Sequence, residues 1–359
     1  MVEGTSAWDL AAATCPKCSL PWEVTWAKKG VEGEMRFRPT LPDSTLACLL
    51  EEHFGLAPDG LTFLPLGEDG WVYRAHGPDG TSWLAGLKQE PARAAFEVAS
   101  WLHDHAGLEW VVAPRPSLTG RYVVPAGEFW LTLTPWVEGS ELMARGLFPG
   151  EGGHVGRLLA QLHAATSGLP GALRELLPQE NFRRHREMAL KVLRAARQPW
   201  PADSIQAALA ELIEEKGVLL QQVLGEAQDL GERLRREELP LVLCHADFHA
   251  ANILVGEDGR WWVIDWDGLL LAPPERDLSF WYDSPAWEEI ARAYGLQHPP
   301  RRDLLKYYAL EWVLQEIADY GENIFFLPFS AEQKADSFAA FRQLFAPGDV
   351  VEQALRCRG

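Results

Sequence analysis

Apolar and polar positions follow two different periods along this chain. In the first third, short apolar runs rich in β-branched and aromatic residues are separated by Gly, Pro and Asp, which predicts strands joined by turns. The predicted strands span 61–66, 71–76, 83–88 and 128–137. From residue 154 onward, apolar residues recur every three or four positions, which is the period of helices. The pattern predicts an α+β chain with a small β-rich part followed by a larger, mainly helical part.

Individual helices are predicted from the same helical period. They span 41–54, 92–105 and 154–165, and residues 171–240, which are rich in Leu, Ala, Glu and Arg, predict two or three more. His163 lies among the apolar positions of its helix, so we expect a buried structural histidine there rather than a catalytic one.

A polar loop lies between two short apolar runs at 241–243 and 253–255, each of which reads as a buried strand. The loop carries His245, Asp247 and Asn252 in the spacing His-x-Asp-x-x-x-x-Asn. In the catalytic loop of kinases, the Asp accepts the proton of the substrate hydroxyl and the Asn holds magnesium. We therefore predict that Asp247 is the catalytic residue and Asn252 a metal ligand, while His245 braces the loop.

A second metal ligand is predicted at the end of the next strand. The apolar segment before Asp265 is followed by a turn, as the metal-binding Asp of a kinase requires. Asp258-Gly259 is typical of a hairpin turn, so the strands on either side should pair and bring Asn252 near Asp265. A single Asp after a strand is more often a turn residue. The assignment of Asp265 therefore depends on its occurrence together with His245, Asp247 and Asn252.

Three stretches, HADFHAANIL, VIDWDG and LAPPERDL, resemble the aminoglycoside phosphotransferase family, and most of all its branch that acts on spectinomycin. The resemblance implies a two-lobed fold like that of protein kinases, with ATP as phosphoryl donor, Mg²⁺ as metal, a small cationic acceptor and a role in antibiotic resistance. It also implies the domain organisation. Residues 1–34 form a loosely ordered extension, 35–137 a nucleotide-binding N-lobe, and 138–359 a C-lobe with the catalytic loop and substrate-binding helices.

The resemblance further implies phosphate contacts in the N-lobe. Lys88 is expected to bind the phosphates, although family members place this lysine two residues earlier. Glu97 is its expected ion-pair partner, with Glu90 as the rival, and an ordinary surface charge is an equally good interpretation of Glu97. The bend at 67–70 takes the place of a nucleotide loop but lacks the full G-x-G-x-x-G pattern.

Adenine contacts are expected where the last predicted strand leaves the N-lobe. The order of the motifs places Thr134 and Trp136 at this hinge. Kinases of this kind bind adenine through main-chain groups, so both residues are named for their backbone and not for their side chains.

Acidic residues near the C-terminus are candidates for binding a cationic acceptor. Glu311 and Gln315 share one helix face at positions i and i+4, and Glu316 lies beside that face. Asp267, two residues after the predicted metal ligand, is a further substrate candidate. Exposed helix glutamates are common, so a solvated face is the alternative. Asp277 lies near the start of a helix and is expected to be a cap.

Composition narrows the partners. The 359 residues carry a net charge of -18, which argues against nucleic acid and fits either a cationic substrate or simple solubility. No apolar run approaches 18 residues and the start is not signal-like, so we expect a cytoplasmic protein, monomer or homodimer, without a membrane segment. Cys15 and Cys18 lack two further zinc ligands nearby, so zinc is not expected.

Two alternatives stay open at this stage. Small-molecule kinases that act on choline, ethanolamine, homoserine or a sugar share the same loop. A catalytically inactive nucleotide-binding interaction protein would explain the irregular position of Lys88, but the intact Asp247, Asn252 and Asp265 argue against it.

Overall fold

A computed structural model describes residues 38–65 and 70–356 of the chain. The predicted extension 1–34, with Cys15 and Cys18, lies outside these residues, as does most of the bend at 67–70. The N-terminal part contains α1 (Asp43–Phe54), β1 (Gly60–Leu64), β2 (Trp71–His76), β3 (Ser82–Lys88), α2 (Arg93–Asp104), β4 (Val124–Ala126) and β5 (Phe129–Pro135).

The strands of the N-terminal part form an antiparallel sheet in the order β1-β2-β3-β5-β4. The helix α1 buries Leu46, Leu50 and Phe54 against this sheet, where they share a core with residues such as Tyr73. Every strand predicted in this part is present, with ends that differ by two residues at most. The sheet fixes the position of Lys88 at the end of β3.

The C-terminal part is mainly helical. Its elements are β6 (Ser140–Glu141), α3 (Leu142–Arg145), α4 (Gly152–Ala165), α5 (Gly171–Leu176), α6 (Arg186–Ala195), α7 (Ile205–Glu215), α8 (Gly217–Leu234), β7 (Val242–Cys244), β8 (Ile253–Val255), β9 (Trp261–Val263), β10 (Leu270–Ala272), α9 (Glu275–Leu278), α10 (Trp287–Tyr294), α11 (Arg302–Phe325), α12 (Ala331–Gln343) and α13 (Val350–Arg356). Within residues 38–65 and 70–356, no helix combines the length and apolar character needed to span a membrane.

Residues 171–240 form four helices, so the prediction of two or three was too low. The helices α7 and α8 are separated by Lys216 alone, and one continuous apolar pattern therefore covers both. The short helix α5 buries none of its residues, so it leaves no apolar period for a sequence to show.

The helix α2 packs mainly on the C-terminal part. Its residues Ala95, Val98, Ala99 and Leu102 are buried in a cluster that also contains residues of α4, β8 and β9. Because these positions repeat every three or four residues, they lie on one side of α2 and fix the rotation of the helix about its axis. The direction of every other α2 side chain follows from this contact.

A buried lysine connects the last helix to the rest of the C-terminal part. Lys306 of α11 donates from Nζ to the backbone carbonyls of Ala354 at 2.6 Å and Leu355 at 3.1 Å, both in the last turn of α13. The same ammonium forms an ion pair with Glu226 of α8 at 3.0 Å. Carbonyl groups at the end of a helix have no partner within the helix, and here the ammonium supplies one.

Candidate active site

The predicted catalytic loop lies between β7 and β8, as the sequence indicated. The strands β8 and β9 pair antiparallel, with Ile253 opposite Val263, and the turn between them contains Gly259 at φ 79°, a left-handed conformation that favours glycine. Beyond the strands, the N–H of Ile264 donates to the carbonyl of Asn252 at 3.0 Å. The predicted hairpin is therefore confirmed, and it brings Asn252 beside the residue that precedes Asp265.

Asp247 and Asn252 are joined directly. The Asn252 amide donates from Nδ2 to the Asp247 backbone carbonyl at 2.9 Å and to the carboxylate Oδ2 at 3.0 Å. In the part of the chain that the structure describes, no hydrogen bond uses the amide oxygen of Asn252, which leaves this oxygen to bind a cation. Mg²⁺ prefers oxygen ligands, so this amide and the carboxylate of Asp265 at the adjacent strand end fit a magnesium site.

Asp277 holds the start of the catalytic loop and does not cap its helix, contrary to the sequence prediction. Its side chain is 0% exposed and accepts hydrogen bonds from the backbone N–H groups of His245 at 2.9 Å and Ala246 at 2.8 Å. Ala246 has φ 71°, a left-handed conformation rare for a residue with a side chain. The third position in the single turn of α9 directs the carboxylate toward the loop instead of toward the helix start.

His163 and His245 are both structural, as predicted. His163 is buried, with Nε2 at 3.1 Å from the Asp277 carboxylate and Nδ1 at 2.7 Å from the Tyr294 hydroxyl. His245 donates from Nε2 to the carbonyl of Ile264 at 3.0 Å, and its Nδ1 accepts the N–H of Asp247 at 3.3 Å. Burial lowers the pKa of His245, so its ring is held neutral and braces the loop against β9.

Lys88 forms its ion pair with Asp267 instead of with Glu97. The ammonium and the Asp267 carboxylate are in direct contact, and their side chains are 22% and 23% exposed. Glu97 is exposed on α2, because the opposite side of this helix is the one buried in the C-terminal part. Among residues 38–65 and 70–356, no ion pair connects Glu97 or its rival Glu90 to Lys88. The pair also puts Asp267, expected at the acceptor, on the Lys88 side of the site.

The structure shows where the predicted hinge residues, Thr134 and Trp136, lie relative to β3. The N–H of Trp136 donates to the carbonyl of Ser82 at 3.1 Å, and Thr134 lies opposite a residue of β3 in the same phase of the strand. Their main-chain groups therefore point toward β3, where the N–H of Trp136 is already bonded. Successive residues of a strand alternate, so the main-chain groups of Pro135 and Val137 point away from β3. Pro135 has only its carbonyl on that side, because proline has no N–H.

The Glu311 carboxylate is enclosed: Oε2 contacts Arg276, and Oε1 is buried without a hydrogen-bond partner among the described residues. It is 0% exposed and forms a buried ion pair with Arg276 of α9. Burial raises the pKa of Glu311 to about 7, and the guanidinium of Arg276 partly opposes this rise. Glu316 is also buried on α11. Helical spacing cannot show that α11 is enclosed on nearly all sides, and for this reason Glu311 and Glu316 were predicted to bind a cationic acceptor.

A small recess with room for about one water molecule lies beside the catalytic loop, with aromatic and charged walls: Arg276, Ser279, Phe280, Tyr308, Ala309 and Trp312. Within the described residues, the Tyr308 hydroxyl and the Arg276 Nε are buried without a hydrogen-bond partner. Such groups are stabilised by a polar ligand or by water. The recess therefore offers these two groups to a water molecule or to a single polar group of a ligand.

A kinase-type catalytic loop, a pair of oxygen ligands and a β-rich part followed by helices are the features of a small-molecule phosphotransferase. A family model described as "Phosphotransferase enzyme family" matches residues 61–310, and the chain belongs to this family. Protein StrN of Streptomyces griseus is 33% identical over 283 residues, which cover 73% of this chain and 79% of StrN. The chain is thus an enzyme that transfers a phosphoryl group, as the sequence predicted.

Solved structures show the same fold. Spectinomycin phosphotransferase in complex with ADP and spectinomycin is 23% identical with a TM-score of 0.77, covering 89% of this chain and 99% of that chain. Amicoumacin kinase with AMP-PNP and Ca²⁺ is 16% identical with a TM-score of 0.59, covering 87% of this chain and 96% of that chain. The expected two-lobed, kinase-like α+β fold is confirmed. The nucleotides and the divalent ion in those structures agree with the expected ATP and metal.

Proposed function

We propose that this enzyme transfers the γ-phosphoryl group of ATP to a hydroxyl of a small cationic acceptor, with spectinomycin as the first candidate. The convergence of Asp247, Asn252 and Asp265 carries this proposal. Asn252 is bonded to the Asp247 carboxylate on one side and, through its backbone, to the residue before Asp265 on the other. A general base and two oxygen ligands are thereby held within one hairpin.

Each residue has a distinct role in this reaction. Asp247 orients the acceptor hydroxyl and takes its proton, and in a loose transition state this positioning contributes more than basicity. Asn252 and Asp265 would hold Mg²⁺, which supplies charge neutralisation on the phosphates. Lys88 pairs with Asp267, which lies two residues after the metal ligand Asp265 in the chain. Lys88 is therefore the expected cation for the phosphates.

Two observations support a cationic acceptor. A net charge of -18 favours the approach of cations from solution. The Arg276 guanidinium of the recess wall is neutralised by its buried ion pair with Glu311, so it adds no net charge that would repel a cationic acceptor. Spectinomycin phosphotransferase, which shares the fold, is known with spectinomycin bound, and this makes spectinomycin the first compound to test.

The test is a parallel acceptor assay with the purified enzyme. ATP consumption and phosphorylated product are measured with spectinomycin, kanamycin, choline, ethanolamine and homoserine, each with and without Mg²⁺, and with Asp247→Asn as the inactive control. We expect Mg²⁺-dependent phosphorylation of spectinomycin, and spectinomycin resistance in cells that express the chain. Phosphorylation of choline or homoserine without phosphorylation of spectinomycin would show that the antibiotic acceptor is wrong, while the phosphotransfer itself would stand.

A further inference from the structure

His249 lies in the catalytic loop, two residues after the general base. It is 5% exposed, and its backbone N–H donates to the carbonyl of Asp247 at 2.9 Å. The imidazole Nε2 is 3.2 Å from Oδ2 of Asp247. Its other nitrogen, Nδ1, accepts the backbone N–H of Ala251 at 3.2 Å. The ring therefore connects two parts of the same loop through its two nitrogens.

The hydrogen bond from Ala251 to Nδ1 determines the tautomer of His249. Asn252 Nδ2 also approaches Nε2, but at 3.5 Å it is farther away than the Asp247 carboxylate at 3.2 Å. A ring nitrogen that accepts a hydrogen bond carries no proton, so the proton of the neutral ring is on Nε2. The Nε2–H then donates to the Asp247 carboxylate. Asn252 donates to the same oxygen, Oδ2, at 3.0 Å. Two donors on one oxygen fix the rotation of the carboxylate, and with it the direction of Oδ1, the oxygen that would accept the hydroxyl proton.

The ring of His249 is held in place by the wall of the recess. It packs edge-on against Phe280, with ring centroids 5.8 Å apart, and against Trp312, with centroids 6.2 Å apart. Phe280 and Trp312 contact each other edge-on at 5.3 Å. Edge-to-face packing of this kind is directional, so it resists rotation of the imidazole. The orientation of the general base is thus connected to the surface on which the acceptor would bind.

We propose that His249 is a positioning residue, whose neutral Nε2–H group holds Asp247 in the orientation needed to accept the hydroxyl proton. This inference rests on the proposed phosphotransfer and assigns no proton transfer to His249 itself. Because the contact acts on the general base, losing it lowers turnover and leaves the affinity for ATP unchanged.

Two substitutions separate the contacts of the two ring nitrogens. His249→Asn keeps an acceptor near the position of Nδ1 for Ala251 but is too short to reach Asp247. His249→Gln places an amide N–H near the position of Nε2. A hydrogen bond to a charged group contributes enough to change a rate by about 10- to 100-fold, so we expect kcat to fall by about this factor in His249→Asn. We expect the KM for ATP to stay unchanged, and His249→Gln to recover most of the loss.

A double-mutant cycle distinguishes positioning from a general effect on the fold. In the Asp247→Asn background, His249→Asn should lower kcat no further, because the residue acts through Asp247. Additive losses in the cycle, a wild-type kcat in His249→Asn, or equal losses in the Asn and Gln variants would each overturn the proposal. Absence of phosphotransfer by the wild-type enzyme with every acceptor would instead contradict the proposed function.

The tautomer is also measurable without turnover. Two-bond ¹H–¹⁵N correlation spectra of the histidine rings, assigned for His249 by its loss in His249→Gln, report which nitrogen carries the proton. We expect a neutral ring protonated on Nε2, with an Nε2 shift that changes in Asp247→Asn. A ring protonated on Nδ1 instead would overturn the proposal, whatever the acceptor assays show.

Discussion

The catalytic hairpin and the nucleotide side of the N-terminal part assemble their polar residues in different ways. In the hairpin, Asp247, Asn252 and Asp265 lie within 19 residues of one another in the chain and are joined by the β8–β9 pairing and short hydrogen bonds. On the nucleotide side, which is the end of β3 with Lys88, the partner of the lysine is Asp267 of the C-terminal part.

This difference shows what makes a site residue predictable. Within a hairpin, spacing along the chain nearly determines spacing in space, because the turn and the strand pairing leave little freedom. Between a strand and a separately packed helix, the contact depends on how the helix is rotated. The α2 helix buries Ala95 and Val98 and thereby exposes Glu97, so Lys88 pairs elsewhere.

The largest expected effect concerns the hairpin. Asp247→Asn removes the proton acceptor and keeps nearly the same shape, so we expect turnover to fall by about 100-fold or more while ATP binding persists. Steady-state kinetics and nucleotide titration measure the two quantities. Asp229→Asn changes an exposed carboxylate of α8 and is the matched control. Turnover close to the native value would remove Asp247 from the mechanism.

The second prediction tests whether the hairpin depends on a distant residue. Asp277→Asn replaces one of the two carboxylate oxygens that bind the N–H groups of His245 and Ala246 by an amide donor. One buried N–H then lacks an acceptor, and we expect the free energy of unfolding to fall by about 1 to 3 kcal/mol, together with a loss of turnover. Denaturant unfolding measures the change, again with Asp229→Asn as control. An unchanged unfolding midpoint would show that the stability of the catalytic loop does not depend on Asp277.

The third prediction compares the two charges of the nucleotide side. Lys88→Met removes the cation expected at the phosphates, and we expect kcat/KM for ATP to fall by about 10- to 100-fold, the range of a charge-assisted contact. Glu97→Gln changes an exposed helix residue and should alter the same constant by less than about twofold. Equal losses in both variants would indicate that Glu97 acts together with Lys88, and the difference between the two regions would not hold.

The smallest expected effect is a pH dependence of stability. Burial lowers the pKa of His245 in the folded protein. Below pH about 6.5, His245 therefore binds a proton in the unfolded chain but stays unprotonated in the folded chain. Stability should therefore fall as the pH drops, by at most about 1.4 kcal/mol per pH unit from this residue. His245→Gln should reduce the slope. An unchanged slope in His245→Gln would contradict the prediction.

The sequence was sufficient for the parts of the site that depend on local geometry. The loop spacing and the Asp-Gly turn located Asp247, Asn252 and Asp265, and alternation located the strands. Asp277 was misassigned because a buried carboxylate that binds a loop about 30 residues away leaves no period in the sequence. Alternation gives the phase of a strand only after its neighbouring strand is known, so the sequence did not show that the N–H of Trp136 is bonded to Ser82 of β3.

Lys306, which binds the end of α13, limits how far the chain can be shortened from its C-terminus. A truncation that ends before residue 354 would remove both carbonyls that Lys306 binds and leave its buried ammonium with Glu226 alone. A charge that has lost most of its hydrogen bonds in the interior is strongly destabilising. The final helix is therefore part of the folding unit of the C-terminal part, and a tag or fusion partner is best joined beyond it.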